Sequence, residues 1–204
     1  MDEGTLTATR RSLHGVAELV IAGPQFRTLG SIELRVRPGG FGGHQSSVCV
    51  QGPDLVWDGG RVPLQGTCRE LAAASGQEVT DLADVYADGS GVDPDEPLTF
   101  DAAALNLLLG WFGRGDAALR EFAPDVEPIL WPEHFDVGIA VDEVNYGASP
   151  GDDAHTGPYA YVGPWTAREG EFWNASFGAL RDAGDLPDVG AVVSFFQTGR
   201  DAAR

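Results

Sequence analysis

The chain gathers its most reactive residue types between Trp131 and Trp165, where two of the four histidines and two of the five tryptophans accompany an acidic pair. His134 and Asp136 stand two positions apart. If Phe135 to Val141 is a strand, then Phe135, Val137, Ile139 and Val141 face the core, while His134 and Asp136 share the opposite face. An imidazole beside a carboxylate offers two metal ligands, or a base tuned by its neighbour, and Glu133 is adjacent. Downstream, NYGASPGDDAH supplies Asn145, Ser149, Asp152, Asp153 and His155 in a loop turned by Gly147, Pro150 and Gly151. Folded back over the strand, that loop would bring His134, Asp136, Asp152 and His155 into a cluster suited to a divalent metal that activates water. Two plainer readings stand beside it. Asp152 and Asp153 close a turn while His134 bonds to backbone, or the two aspartates and nearby carbonyls hold a structural hard cation such as calcium without catalysis.

The same region is rich in aromatic residues: Tyr159, Tyr161, Trp165, Phe172, Trp173 and Phe177. Rings with polar tips line small-molecule pockets as readily as they fill cores. As a binding set, Asn145, Tyr159, Tyr161, Trp165, Trp173 and Asn174 combine aromatic area with amides that fix a ligand's orientation. Asn174-Ala175-Ser176 is a glycosylation sequon, without consequence in a cytosolic chain. Other signals carry less chemistry. RPGGFGGH lacks both the G-K-[ST] ending of a phosphate loop and dinucleotide spacing, and reads as a hairpin or bulged strand end. His14 reads as a surface or boundary residue of a helix, and His44 lies in the glycine-rich turn. Cys49 and Cys68 form no C-x-x-C motif and read as buried thiols, against a nucleophile or a disulfide.

These residues need elements to position them. Leu13, Val16, Ala17, Val20 and Ile21 recur at helical spacing, and Gly23-Pro24 reads as the stop. Ile32, Leu34 and Val36 alternate with polar residues as a strand, Val48 and Val50 suggest another, and LVWDGGRVPL reads as a hairpin. TCRELAAASG carries a capping box, Thr67 with Glu70. The acidic stretch from Asp88 to Pro97 is a loop. Asp101 caps a helix running to Phe112, and the Gly113/Gly115 break separates it from a shorter helix over Asp116 to Phe122. Strands follow at Phe135 to Val141 and Tyr159 to Val162, then a C-terminal helix with Val189, Val192, Val193 and Phe196 on one side. Strands and helices fall in blocks, which predicts an α+β fold: antiparallel sheet packed with about five helices, as a single compact domain or as halves at 1–90 and 98–204.

The blocks LWPEHFD, NYGASPGD, PYAYVGPW and FWNASFGA, with RSLHGVAELVIAGPQFRTLGSIELRVRPGGFGG before them, resemble an uncharacterised family of actinobacterial proteins over nearly the whole chain. The SPGD and YVGPW blocks also resemble a second uncharacterised bacterial family. Neither resemblance implies an activity or a catalytic residue; the first implies a high-GC bacterial origin and a cytoplasmic protein.

Composition narrows the partners. The 204 residues carry a net charge of −18, and every one of the 13 bases is arginine. Such a surface repels nucleic-acid backbones and anionic membranes. The polar start MDEGTLTATRRSLHG and the lack of an apolar run near the roughly 20 residues that span a bilayer point the same way, to a cytoplasmic chain. No nucleophile elbow, complete zinc signature or cofactor fingerprint is present. The functional expectation is therefore a protein that binds a small molecule or a protein partner through segment 131–177. The alternatives are a metal-dependent hydrolase using His134, Asp136, Asp152 and His155, and a structural cation site with no catalysis.

Overall fold

The computed structural model describes residues 2–87 and 89–204. Asp88, with which the acidic loop begins, lies outside the described residues. The chain folds into two compact units, Met1–Gly110 with Leu130–Phe135 and Trp111–Ile129 with Asp136–Arg204. In sequence the first change of unit falls between Gly110 and Trp111, inside a helix. The α+β class holds, with ten antiparallel strands and four helical rods among the described residues.

In the first unit, α1 (Glu3–Gly15) runs directly into a π-helical segment (Val16–Ala22) and α2 (Gly23–Leu29). Gly23-Pro24 therefore does not end the helix, which stops at Gly30 in the left-handed conformation (φ 72°). The π segment buries Val16, Ala17, Leu19, Val20 and Ile21 and packs on β2 and α3. β1 (Leu34–Arg37), β2 (Gly40–Gly43), β3 (Cys49–Gln51), β4 (Asp54–Trp57) and β5 (Gly60–Pro63) pair in succession, so RPGGFGGH supplies a hairpin and its second strand. α3 (Cys68–Ala74) has the full capping box of Thr67 and Glu70. Both cysteines are free; burial pushes the Cys68 thiol up to about 12, which leaves it an inert apolar filler.

α4 (Ala102–Phe122) is one helix where two were expected. Two glycines cost a helix only about 1 kcal/mol each, and Gly115 has a packing reason: a Cβ there would lie 2.4 Å from the Cβ of Ala148. This merger reduces the expected five helices to four. β6 (Ile129–Trp131) pairs with β1 at Leu130.

The second unit is a meander of β7 (Asp136–Val141), β8 (Val144–Ser149), β9 (Tyr159–Pro164) and β10 (Ala179–Asp182). The loop expected over Asn145 to Ser149 is strand β8. One face of the meander is covered by helices. Gly115 of α4 approaches Val137 and Ala148, Gly199 of α5 (Val189–Ala202) approaches Val162, and Tyr146 packs among Phe122 and Phe196 with centroids 4.6 and 5.8 Å away. Strand alternation then places Asp136, Gly138, Asn145, Gly147, Ser149, Tyr159, Tyr161, Leu180 and Asp182 on the other face. Among the described residues no helix is long and apolar enough to cross a membrane.

Candidate ligand-binding face of the second unit

The face away from the helices is organised around two tyrosines of β9. Gly138, Gly147 and Tyr161 stand in one row across β7, β8 and β9. Without side chains at the two glycines, the phenol of Tyr161 lies flat across both strands and donates to Asp136 Oδ2. Space there is tight, since a Cβ on Gly147 would fall 2.4 Å from the phenol oxygen. Burial, followed by the charge of Asp136, holds the Tyr161 phenol well above its ordinary pKa, so it stays a proton donor.

Tyr159 is fixed in the same way. Its hydroxyl donates to Asp152 Oδ2 at 2.6 Å, and burial again raises its pKa, with Asp152 adding to the effect. The other oxygen of Asp152 accepts the amide hydrogens of Ala154 (2.8 Å) and His155 (2.7 Å), which closes the SPGDDAH turn as its aspartate should. That turn brings His155 Nε2 to 2.6 Å from Asp182 Oδ1 on β10, with the imidazole edge-on to Tyr159 at 5.1 Å. Ser149 is held from both ends: its hydroxyl accepts from Gly151 N–H and its carbonyl accepts from the indole of Trp111.

Over the tyrosines lies Phe177, presented by a turn that bridges Ala175 and Gly178. Its ring is near-parallel to Tyr159 at 6.5 Å and edge-on to Tyr161 at 6.4 Å, yet 46% of it is exposed. Trp165, 64% exposed, folds back so that its indole N–H donates to Asn145 Oδ1 at 3.1 Å. These are the exposed large hydrophobic residues of this unit among the described residues.

The binding and metal sets of the sequence thus separate. Tyr159 and Tyr161 join on one surface with Asp136, Asp152 and His155, and Trp165 and Asn145 pair on the same face. Asn174 is committed elsewhere, because its amide donates to Leu180 O and accepts from Leu180 N, capping the open edge of β10. Trp173 packs edge-on against Phe172 at 4.9 Å. His134 lies in a turn of the first unit, because Phe135 adopts φ 51° and the strand begins only at Asp136. The alternation that would put His134 and Asp136 on one strand face therefore does not apply. His134 is exposed, with Glu133 4.0 Å away. No group of three or more His, Cys, Asp or Glu side chains that could hold a metal ion occurs among the described residues. Phe177, named among the aromatic residues but not in the binding set, belongs to the face, and so does Asp182, which the sequence reading did not single out. The one signal for them was that Phe177 follows a short turn sequence and that Leu180 and Asp182 alternate.

His14 is more enclosed than a surface residue of a helix. It stacks on Phe135 at 5.0 Å, and its Nε2 lies 2.5 Å from the carbonyl of Pro132. Burial depresses its pKa below 6.5 against the opposing pull of the Pro132 carbonyl and Glu18, while Arg10 and His134 lower it further. A neutral His14 then donates N–H to Pro132. Since the unfolded imidazole takes up a proton near 6.5 and the folded one only at lower pH, stability is complete above 6.5. It is lost as pH falls through the window between the two values. Unfolding free energies measured by denaturant titration from pH 7.5 to 5.0 are expected to fall with a slope of up to about 1.4 kcal/mol per pH unit from this group, and His14→Gln should flatten that dependence. An unchanged slope in the variant refutes the assignment.

No family model, curated protein or solved structure matches the chain.

Proposed function

We propose that the second unit binds a small organic cation on the face built by Tyr159, Tyr161 and Phe177, and that its role is recognition. The observation that carries this is the half-exposed ring of Phe177 poised over two tyrosines whose hydroxyls are already tied to carboxylates. The residues that build the surface include three carboxylates, Asp136, Asp152 and Asp182, and no arginine. Aromatic faces present negative quadrupole density, and a cation resting on them gains about 0.5–2 kcal/mol depending on desolvation. The net charge of −18 adds a field that concentrates cations near the protein. The same features give little purchase for chemistry. Both phenols are held protonated, and the Ser149 hydroxyl, which accepts from the Gly151 amide, gives its proton to the phenol oxygen of Tyr159, a poor base.

Choline and its neutral isostere 3,3-dimethylbutan-1-ol separate charge recognition from plain hydrophobic burial. Titration followed by NMR should show choline binding at least about tenfold tighter than the alcohol, and Phe177→Ala should weaken choline about tenfold, the size of a partly desolvated cation–π contact. Equal affinity for the two compounds, or an unchanged affinity in the variant, overturns the reading.

A further inference from the structure

A second recess of the same unit lies on the other side of β10, where that strand meets α5. It is an open groove of about 350 Å³, within the range of small-molecule sites. Its lining includes two aromatic rings, Phe172 and Phe195, which pack at 5.5 Å with their planes tilted by 35°, and Leu186. Two opposite charges line it, Arg181 from β10 and Asp185 from the 3-10 turn that follows.

These two charges are the informative feature. Among the described residues neither forms an ion pair or a side-chain hydrogen bond, with each other or with anything else. The guanidinium of Arg181 only overlooks the Phe195 ring at 6.0 Å. Elsewhere in this unit opposite charges do pair, as Asp116 does with Arg120 and His155 with Asp182. The groove is therefore lined by a cation and an anion that do not pair with each other, beside two aromatic rings. Ser194 and Thr198 add directionality, since their hydroxyl protons are spent on Gly190 O and Ser194 O, both at 2.8 Å. Their oxygens face a ligand as acceptors only. The Leu186 carbonyl is fixed by Arg114 at 2.8 Å, which anchors the turn bearing Asp185.

We infer that this groove binds a free α-amino acid with an apolar side chain. The carboxylate pairs with Arg181, where the planar guanidinium accepts a bidentate partner. The ammonium pairs with Asp185, with the hydroxyl oxygens of Ser194 and Thr198 on the same wall as further acceptors. The side chain lies on Phe172 and Phe195, so an aromatic side chain is preferred. A singly charged ligand satisfies one of the two groups and leaves the other as it was. This site is independent of the cation-binding face, which lies on the opposite side of the sheet.

Calorimetric titration of the full chain with L-phenylalanine, hydrocinnamate and phenethylamine isolates each charge. Phenylalanine should bind at least about tenfold tighter than either analogue, because each analogue forfeits one charge-assisted contact. Arg181→Gln and Asp185→Asn should each weaken phenylalanine at least fivefold without changing the melting temperature, as both side chains are exposed. Phe177→Ala should leave phenylalanine binding unchanged. Absence of binding to phenylalanine at concentrations of order 10 mM overturns the inference. So does hydrocinnamate or phenethylamine binding as tightly as phenylalanine, or insensitivity to both charge variants.

Discussion

Gly147→Ala is expected to destabilise the second unit by about 2–5 kcal/mol and to abolish choline binding at its open face, the larger consequence of a single added methyl group in this protein. The backbone itself tolerates alanine, since Gly147 has an ordinary negative φ in the middle of β8. The conflict lies with Tyr161. A Cβ would fall 2.4 Å from its Cζ and oxygen and 2.6 Å from Cε1, distances no pair of unbonded carbons adopts. Because the ring is pinned by Asp136 at its tip and by its own strand at its base, it cannot slide aside and keep its hydrogen bond. Overpacking of this kind costs about 1–3 kcal/mol. Loss of a buried hydrogen bond to a charged acceptor costs a further 1.5–3 kcal/mol or so, offset by roughly 0.5–1 kcal/mol gained when a strand glycine is replaced. Urea denaturation read by tryptophan fluorescence measures the sum. A double-mutant cycle with Tyr161→Ala assigns it, because removing the ring should recover the overpacking share. A Gly147→Ala protein within about 0.5 kcal/mol of wild type, the ordinary range of surface changes, would show that the ring does not cross β8 as described.

That row of glycines also explains which parts of the face were legible in the sequence. The strand at Tyr159, the turn made by Asp152 and the supply of aromatic residues follow from residue type and spacing, because alternation and Asx chemistry are local. β8 was not legible: around Tyr146, the residues Asn145, Gly147, Ala148 and Ser149 are small or turn-prone, and the smallness of Gly147 and Ala148 is imposed from outside by Tyr161 on one face and Gly115 of α4 on the other. The hairpin that starts this strand hides as well. Its two-residue loop, Asp142 and Glu143, takes φ of 53° and 61° without the Asn-Gly or Asp-Gly pair that normally announces such a turn. The same holds for Phe135 at φ 51°, where a bulky residue in the left-handed region shifted the strand start by one and took His134 off the face assigned to it. Long-range partners fix these conformations, so composition within a ten-residue window carries no trace of them. The pairing of His155 with Asp182 across 27 positions is unreadable for the same reason.

The Gly23-Pro24 pair gives the complementary case, in which a strong local signal was read correctly as chemistry and yet led to the wrong element. Proline lacks an N–H, so a helix that passes through it must leave one carbonyl without its donor. Here the π segment shifts the bonding by one residue, and Gly23 N–H reaches Glu18 O. The carbonyl of Leu19, whose donor in that register would be Pro24, instead accepts the N–H of Thr80 from another part of the same unit at 3.4 Å. The helix survives its proline because Thr80 lies against it, and Thr80 can lie there only because residue 23 has no side chain. A Cβ on Gly23 would stand 2.1 Å from the Thr80 carbonyl oxygen and 3.0 Å from its carbon, both backbone atoms with no rotamer to relieve the contact. Gly23→Ala is therefore expected to cost about 1–2 kcal/mol, since overpacking at the upper end of its usual range of about 1–3 kcal/mol outweighs the 1 kcal/mol or so that alanine gains over glycine in a helix. The matched control is Gly113→Ala in α4, where nothing lies within 4 Å of the added carbon and the propensity gain should appear undiminished as stabilisation. Denaturant unfolding of the two variants beside the wild type decides the matter. Opposite signs support the contact with Thr80, whereas a Gly23→Ala protein as stable as Gly113→Ala would mean that the helix tolerates its proline without it.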